Sequence, residues 1–292
     1  MFTTITEFLD RITGVEGSFG YCLILALVVG GYTYTSAWLT SPEMTKPIEE
    51  EEEEMEPVRN FTAKQLAHFD GTKEDRGEEF KNVYLSLNGI VFDVTTGKDF
   101  YGPEGPYAKF AGRECGIALA KMSFDEKHLG DLDGVADLNF GEKNQLDEWH
   151  QKFKYYRNYP HKGQYVPDKA LPKADRILTL EEVAKCSGEP GSEVPEGYAA
   201  PPIYVVAGDK VFDVSFGGIG FYGPGGPYNR FAGKDASRAL ATMSLDEKDI
   251  NNSDLSDLSE KQLKTLKDWI TSYEEKKGYP VVGKLEKKDF KL

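Results

Sequence analysis

The sequence predicts an α+β protein in which one small sheet-and-helix domain is made twice. Three observations predict it. The string VYLSLNGIVFDV (83–94) returns as IYVVAGDKVFDV (203–214) at an offset of 120, and FYGPEGPYAKFAGRECGIALAKMSFDEK (100–127) returns as FYGPGGPYNRFAGKDASRALATMSLDEK (221–248) at an offset of 121. A repeat of that length constrains the fold before any single element does. In each copy apolar residues alternate about a two-residue turn, which is a hairpin pattern, and helical periodicity follows a Gly/Pro-rich loop. Trp149 and Trp269 keep the register, 120 apart.

The chain has 292 residues, 39% hydrophobic and 29% charged, an ordinary globular balance. Its formal charge of −14 offers no basic footprint for phosphates, so nucleic acid is excluded as a partner. Cys22, Cys115 and Cys186 are odd in number and lack Cys-x-x-Cys spacing, which argues against a disulfide framework or a zinc site. All four histidines, His68, His128, His150 and His161, precede residue 162, so the second copy has no imidazole.

Taken in order, residues 1–18 form an N-terminal segment, and residues 19–39 (FGYCLILALVVGGYTYTSAWL) read as a single transmembrane helix. No charged residue lies between Glu16 and Glu43, a run long enough to cross about 30 Å of hydrocarbon. Glu7, Asp10, Arg11 and Glu16 ahead of it are not the basic start of a cleaved signal peptide. Residues 40–56 are an acidic linker with seven net negative charges, half the chain's total, and like charges at that density keep a segment extended. Two domains follow, 57–168 and 169–292.

Each domain should open with a short helix behind a capping box, Thr62 to Gln65 and Thr179 to Glu182. Hairpins turn at Asn88-Gly89 and Gly208-Asp209, which predicts a small antiparallel sheet. Helical patterns run from Phe110 to Met122 and Phe231 to Met243, and Ser123 and Ser244 then read as new caps. A last amphipathic helix carries Leu146, Trp149 and Phe153 in one copy and Leu263, Leu266, Trp269 and Tyr273 in the other.

The candidate site is the loop between these elements. Two Gly-Pro pairs within FYGPEGPY and FYGPGGPY make it both bent and stiff, able to hold two phenols in a fixed relation. A phenolate oxygen is a hard anionic ligand suited to ferric iron. On spacing alone a second reading stays open, in which the tyrosines merely cap the core. No nucleophile-base pair, metal triad or phosphate loop is present, so no enzyme activity is expected.

The run VFDV, FYGPxGPY, FAG[RK], then a tryptophan and a Lys/Tyr-containing tail, resembles the membrane-associated progesterone receptor family of cytochrome b5-like haem/steroid-binding domains over residues 60–166 and 177–285. The resemblance implies two tandem cytochrome b5-like domains, each with an exposed, five-coordinate ferric haem b. It implies Tyr107 and Tyr228 as the iron ligands, with Tyr101 and Tyr222 supporting them by hydrogen bonds. Contacts to haem from the tail fall on Lys277 and Tyr279 in the second copy and on Tyr159, beside Arg157, in the first. The first copy lacks the VVGKL ending. The His-Pro-Gly-Gly loop of ordinary cytochrome b5 is absent.

The function so implied is that of a membrane-anchored haem carrier or adaptor. Its partners would be haem-thiolate monooxygenases and other sterol-pathway enzymes of the endoplasmic reticulum, with the domains in the cytosol and a steroid or lipid as a further ligand. Two alternatives stay open: a haem-free lipid, steroid or protein interaction platform, and an electron-transfer component. An anionic oxygen ligand favours Fe(III), which suits fast electron shuttling poorly.

Overall fold

A computed structural model of the chain describes Arg11, Tyr32, residues 57–73 and residues 80–286. The expected membrane span, apart from Tyr32, and the acidic linker lie outside the described residues. Among the described residues no helix is long and apolar enough to cross a membrane. Glu56–Leu292 makes one compact unit.

In the first half β1 (Arg59–Phe61) leads to Thr62, whose side chain caps helix Ala63–Leu66 in the expected capping box. Strands β2 (Tyr84–Leu87) and β3 (Ile90–Asp93) pair antiparallel about Asn88 and Gly89, both at positive φ (51° and 84°) as a tight primed turn requires. β4 (His161–Tyr165) completes the sheet in the order β1-β4-β3-β2. The second half repeats this with β5 (Ile177–Leu178), β6 (Tyr204–Ala207), β7 (Lys210–Asp213), β8 (Lys234–Asp235) and β9 (Val281–Leu285), ordered β5-β9-β7-β6-β8.

Both sheets are mixed rather than purely antiparallel. β1 runs parallel to β4, and β5 to β9, because the first and last strands of each half are joined by the whole intervening domain, ample length for a parallel crossover. The first half also has the closing strand that its missing VVGKL ending put in doubt. His161–Tyr165 pairs with β3 as Val281–Leu285 pairs with β7, and both ladders slip at the same place, Val91/Phe92 and Val211/Phe212. Backbone pairing needs few particular side chains, but it does need a glycine here. A Cβ at Gly163 would run into the Arg59 carbonyl oxygen, and one at Gly283 would sit 2.8 Å from that of Arg176.

The helices expected over 110–122 and 231–243 are shorter, Gly116–Ala120 and Ser237–Thr242. Gly112 and Gly233, both at φ 71°, turn the chain out of helix, and the backbone then pairs with the neighbouring strand, Ser86 N donating to Arg113 O at 2.8 Å. Ser123 and Ser244 hold local turns by accepting from the amides of Asp125 and Asp246, without starting long helices. The last helices, Phe140–Gln151 and Glu260–Thr271, each end in a π-helical turn, Lys152–Tyr156 and Ser272–Lys276. That wider turn aims Phe153 and Tyr273 into the core. Leu263, expected on the apolar face, is exposed.

Strand alternation gives each sheet two buried faces. In the first half Leu85, Leu87, Phe92 and Val94 pack with Ile117, Leu146 and Phe153, while Tyr84 and Val91 pack on the other side with Phe61, Leu66 and Tyr165. The halves are joined by polar contacts as well as by Val166, which belongs to the second half's core. Asn60, fully buried, donates to Ser215 Oγ at 3.0 Å and accepts from Ala199 N at 2.7 Å. Gln65 Nε2 donates to Phe216 O at 2.6 Å and to Lys277 O at 2.8 Å.

Candidate functional site

Each Gly/Pro loop starts from a one-turn helix, Lys98–Tyr101 or Ile219–Tyr222, and folds back on it. Tyr107 N donates to Phe100 O at 2.8 Å, and Tyr228 N to Phe221 O at the same distance. Only glycine fits at the inside of the bend: a Cβ at Gly105 or Gly226 would overlap the Phe100 or Phe221 carbonyl. The prolines fix φ on either side. The outer tyrosine is thereby brought over the inner one. Tyr101 and Tyr107 have ring centroids 5.8 Å apart at 34°, and Tyr222 and Tyr228 5.9 Å apart at 33°.

The two phenols of each pair differ in access. Tyr101 and Tyr222 are buried, and loss of water pushes both hydroxyls above the ordinary tyrosine range, so they remain protonated donors. Tyr107 and Tyr228 are half-buried, stacked on Phe110 (5.7 Å) and Phe231 (5.9 Å), and are the phenols of each pair that a ligand can reach. Phe124 adds a second stacked ring on Tyr107 at 5.8 Å, where the second half has Leu245.

Tyr159 and Tyr279 lie beneath the loop. Both are buried, their rings 5.3 and 5.4 Å from those of Phe153 and Tyr273. Their hydroxyls press on the glycine that starts the loop helix: a Cβ would meet Tyr159 Oη at 2.5 Å from Gly97, and Tyr279 Oη at 2.8 Å from Gly218. Lys277 is not beside Tyr279 in this respect. It is exposed, with Nζ 5.7 Å from the Phe221 ring, just as Arg157 stands 5.6 Å from Phe100. Each site therefore has a cation and an exposed aromatic ring at its rim.

Two features escaped the sequence reading. The buried Trp149 Nε1–H has no acceptor, and with Lys152, Tyr156 and Arg157 it lines an open depression of about 550 Å³. Gln145 and Glu148 share that lining, so the depression carries both signs of charge. The second feature is at the π-helical turn, where Tyr273 replaces Phe153 and its hydroxyl lies 2.5 Å from that of Tyr222. A Phe/Tyr difference at matching repeat positions was its one signal. A larger depression, about 980 Å³ and lined by residues such as Thr179, Asp235 and Lys248, does not include the loop tyrosines.

An accessible phenol over a buried phenol, in a glycine-closed bend on an α+β domain, supplies oxygen donors of the kind that hold a hard metal ion, together with cations suited to carboxylates. The donor set fits a ferric haem. It defines a class of ligand-binding domain of cytochrome b5-like type, present in two segments. The chain belongs to the cytochrome b5-like heme/steroid binding domain family, whose model matches residues 62–166 and 179–286. It is similar to membrane steroid-binding protein 2 of Arabidopsis thaliana, 28% identical over 66% of this chain and 84% of that protein. It is also similar to the cytochrome P450 regulator dap1 of Schizosaccharomyces pombe, 32% identical over 52% of this chain and 89% of that protein. Membrane-associated progesterone receptor component 2 of Rattus norvegicus is 33% identical over 50% of this chain and 68% of its own.

Proposed function

We propose that this chain is a haem-binding adaptor with one site in each of two tandem domains, 57–168 and 169–292, and with Tyr107 and Tyr228 as the iron ligands. The observation that carries the reading is the matched pair of tilted tyrosine contacts, alike to 0.1 Å and 1° in two copies of different surroundings. Bound ferric haem b would supply a Lewis-acidic, redox-active metal. Tyr101 and Tyr222 keep their protons and can donate to the outer phenol's oxygen. Tyr159 and Tyr279 act from below by holding the base of the loop, so they support the site instead of forming its mouth. Arg157 and Lys277 stand at the rim, where the haem carboxylates would lie.

The relatives support the wider reading: one is a membrane steroid-binding protein and another a cytochrome P450 regulator. We accordingly place residues 19–39 in a bilayer, that of the endoplasmic reticulum, with the domains on the cytosolic side serving haem-thiolate monooxygenases. Electron transfer fits less well, because a phenolate stabilises the ferric state.

Hemin titration of the detergent-solubilised full chain, followed by absorbance, tests this. The expected result is a ferric high-spin spectrum approaching two haems per chain, halved by Tyr107→Phe or by Tyr228→Phe. No Soret change on titration would reject haem and leave a steroid, lipid or protein platform.

A further inference from the structure

We infer that Tyr273 is a positioning residue of the second site alone, its hydroxyl acting through Tyr222 to hold Tyr228 as the oxygen-anion donor. The inference rests on the haem reading above and makes the two sites unequal.

Tyr273 is 1% exposed, and its hydroxyl lies 2.5 Å from Tyr222 Oη. Either oxygen could donate in isolation, but the surroundings choose. A buried hydroxyl left without an acceptor is costly, and Tyr222 Oη is the partner within reach of the Tyr273 hydroxyl. With Tyr273 donating, the Tyr222 hydrogen is released to point outward, toward Tyr228, whose ring centroid lies 5.9 Å from that of Tyr222. Hydrogen-bond chains of this kind polarise one another, so an anion at the outer end gains from the innermost donor. In the first half the same place is taken by Phe153, at 5.9 Å from Tyr101 and similarly perpendicular to it, and a phenyl ring has no hydrogen to give. The packing is kept and the donor alone is changed.

The test uses the full chain with one site silenced. In a Tyr107→Phe background, adding Tyr273→Phe should weaken hemin binding about fivefold, the worth of one hydrogen bond between neutral groups. It should also raise the pH at which the iron–phenolate absorption band is lost on acidification. In a Tyr228→Phe background, adding Phe153→Tyr should move affinity and acid midpoint the other way. Tyr273→Phe copies a ring that the first half already packs, so folding is preserved. Unchanged affinity and acid midpoint in a chain that still loads hemin through Tyr228 would overturn the inference alone. A wild-type chain that takes up no hemin would overturn the haem reading and this inference with it.

Discussion

The two halves share a loop that superposes in its tyrosine geometry, yet around that loop they have diverged. The second half carries one extra residue between Val214 and Gly218, which is why the repeat offset changes from 120 to 121. That insertion is where the halves meet: Phe216 O accepts from Gln65, and Arg59 stands over Gly217. Gln65 also holds the Lys277 carbonyl, at the start of the tail that carries Tyr279. Its counterpart Glu182 forms the same capping box but faces solvent. The first half thus braces the second half's loop and tail from behind. What is repeated is the tyrosine geometry; what has changed is the support beneath and behind it.

The sharpest way to probe this divergence is at Ile117, whose counterpart is Arg238. Ile117 is buried among apolar neighbours, so Ile117→Ala should cost about 3–4 kcal/mol in urea denaturation, independent of salt. A cost that salt erodes would mean that the first half is held as the second one is.

Much of this comparison was open to sequence reading, and the rest was not, for a physical reason. Capping boxes at Thr62 and Thr179, the Asn88-Gly89 turn and the Gly-Pro bends are fixed by residues within seven positions of one another, and all appear as expected. The helix expected from Phe110 failed because Gly112 answers to Tyr84, whose carbonyl accepts its N–H at 2.7 Å from across the fold. Gln65 was legible as a cap but not as a clamp, since its carbonyl partners lie 151 and 212 residues away. Tyr273 looked like one more core aromatic until its neighbour was known.

Asp213 offers a second contrast. Its buried carboxyl has one oxygen, Oδ2, without a partner, and burial lifts it from the ordinary 3.8 to about 6. The folded chain therefore holds this proton more tightly than the unfolded chain does. The resulting stability is complete below about pH 4 and is lost as pH rises through about 6, up to about 3 kcal/mol in all. Asp213→Asn should remove that part of the pH dependence, read as denaturation midpoints across pH 4–8.

The brace itself should be worth somewhat less. Gln65→Leu strips the donor from two carbonyls, a loss of about 2 kcal/mol. Hydrogen exchange should quicken at residues 277–279 and stay unchanged at 157–159; equal change in both tails would break the asymmetry. The smallest effect belongs to Arg238, which pairs with the buried Asp249 (3.1 Å) and the exposed Asp257 (2.6 Å). Arg238→Ala should lower the urea midpoint by less than Gln65→Leu does, and by less still at high salt.

In the proposed function a phenolate oxygen, one per half, holds the iron. Resonance Raman spectroscopy of the hemin-loaded full chain, excited in the phenolate-to-iron charge-transfer band, reads the ligand atom directly. Tyrosinate ring modes are expected that lose about half their intensity in Tyr107→Phe or in Tyr228→Phe and vanish in the double variant. A low-spin spectrum of nitrogen ligation, indifferent to both substitutions, would contradict it.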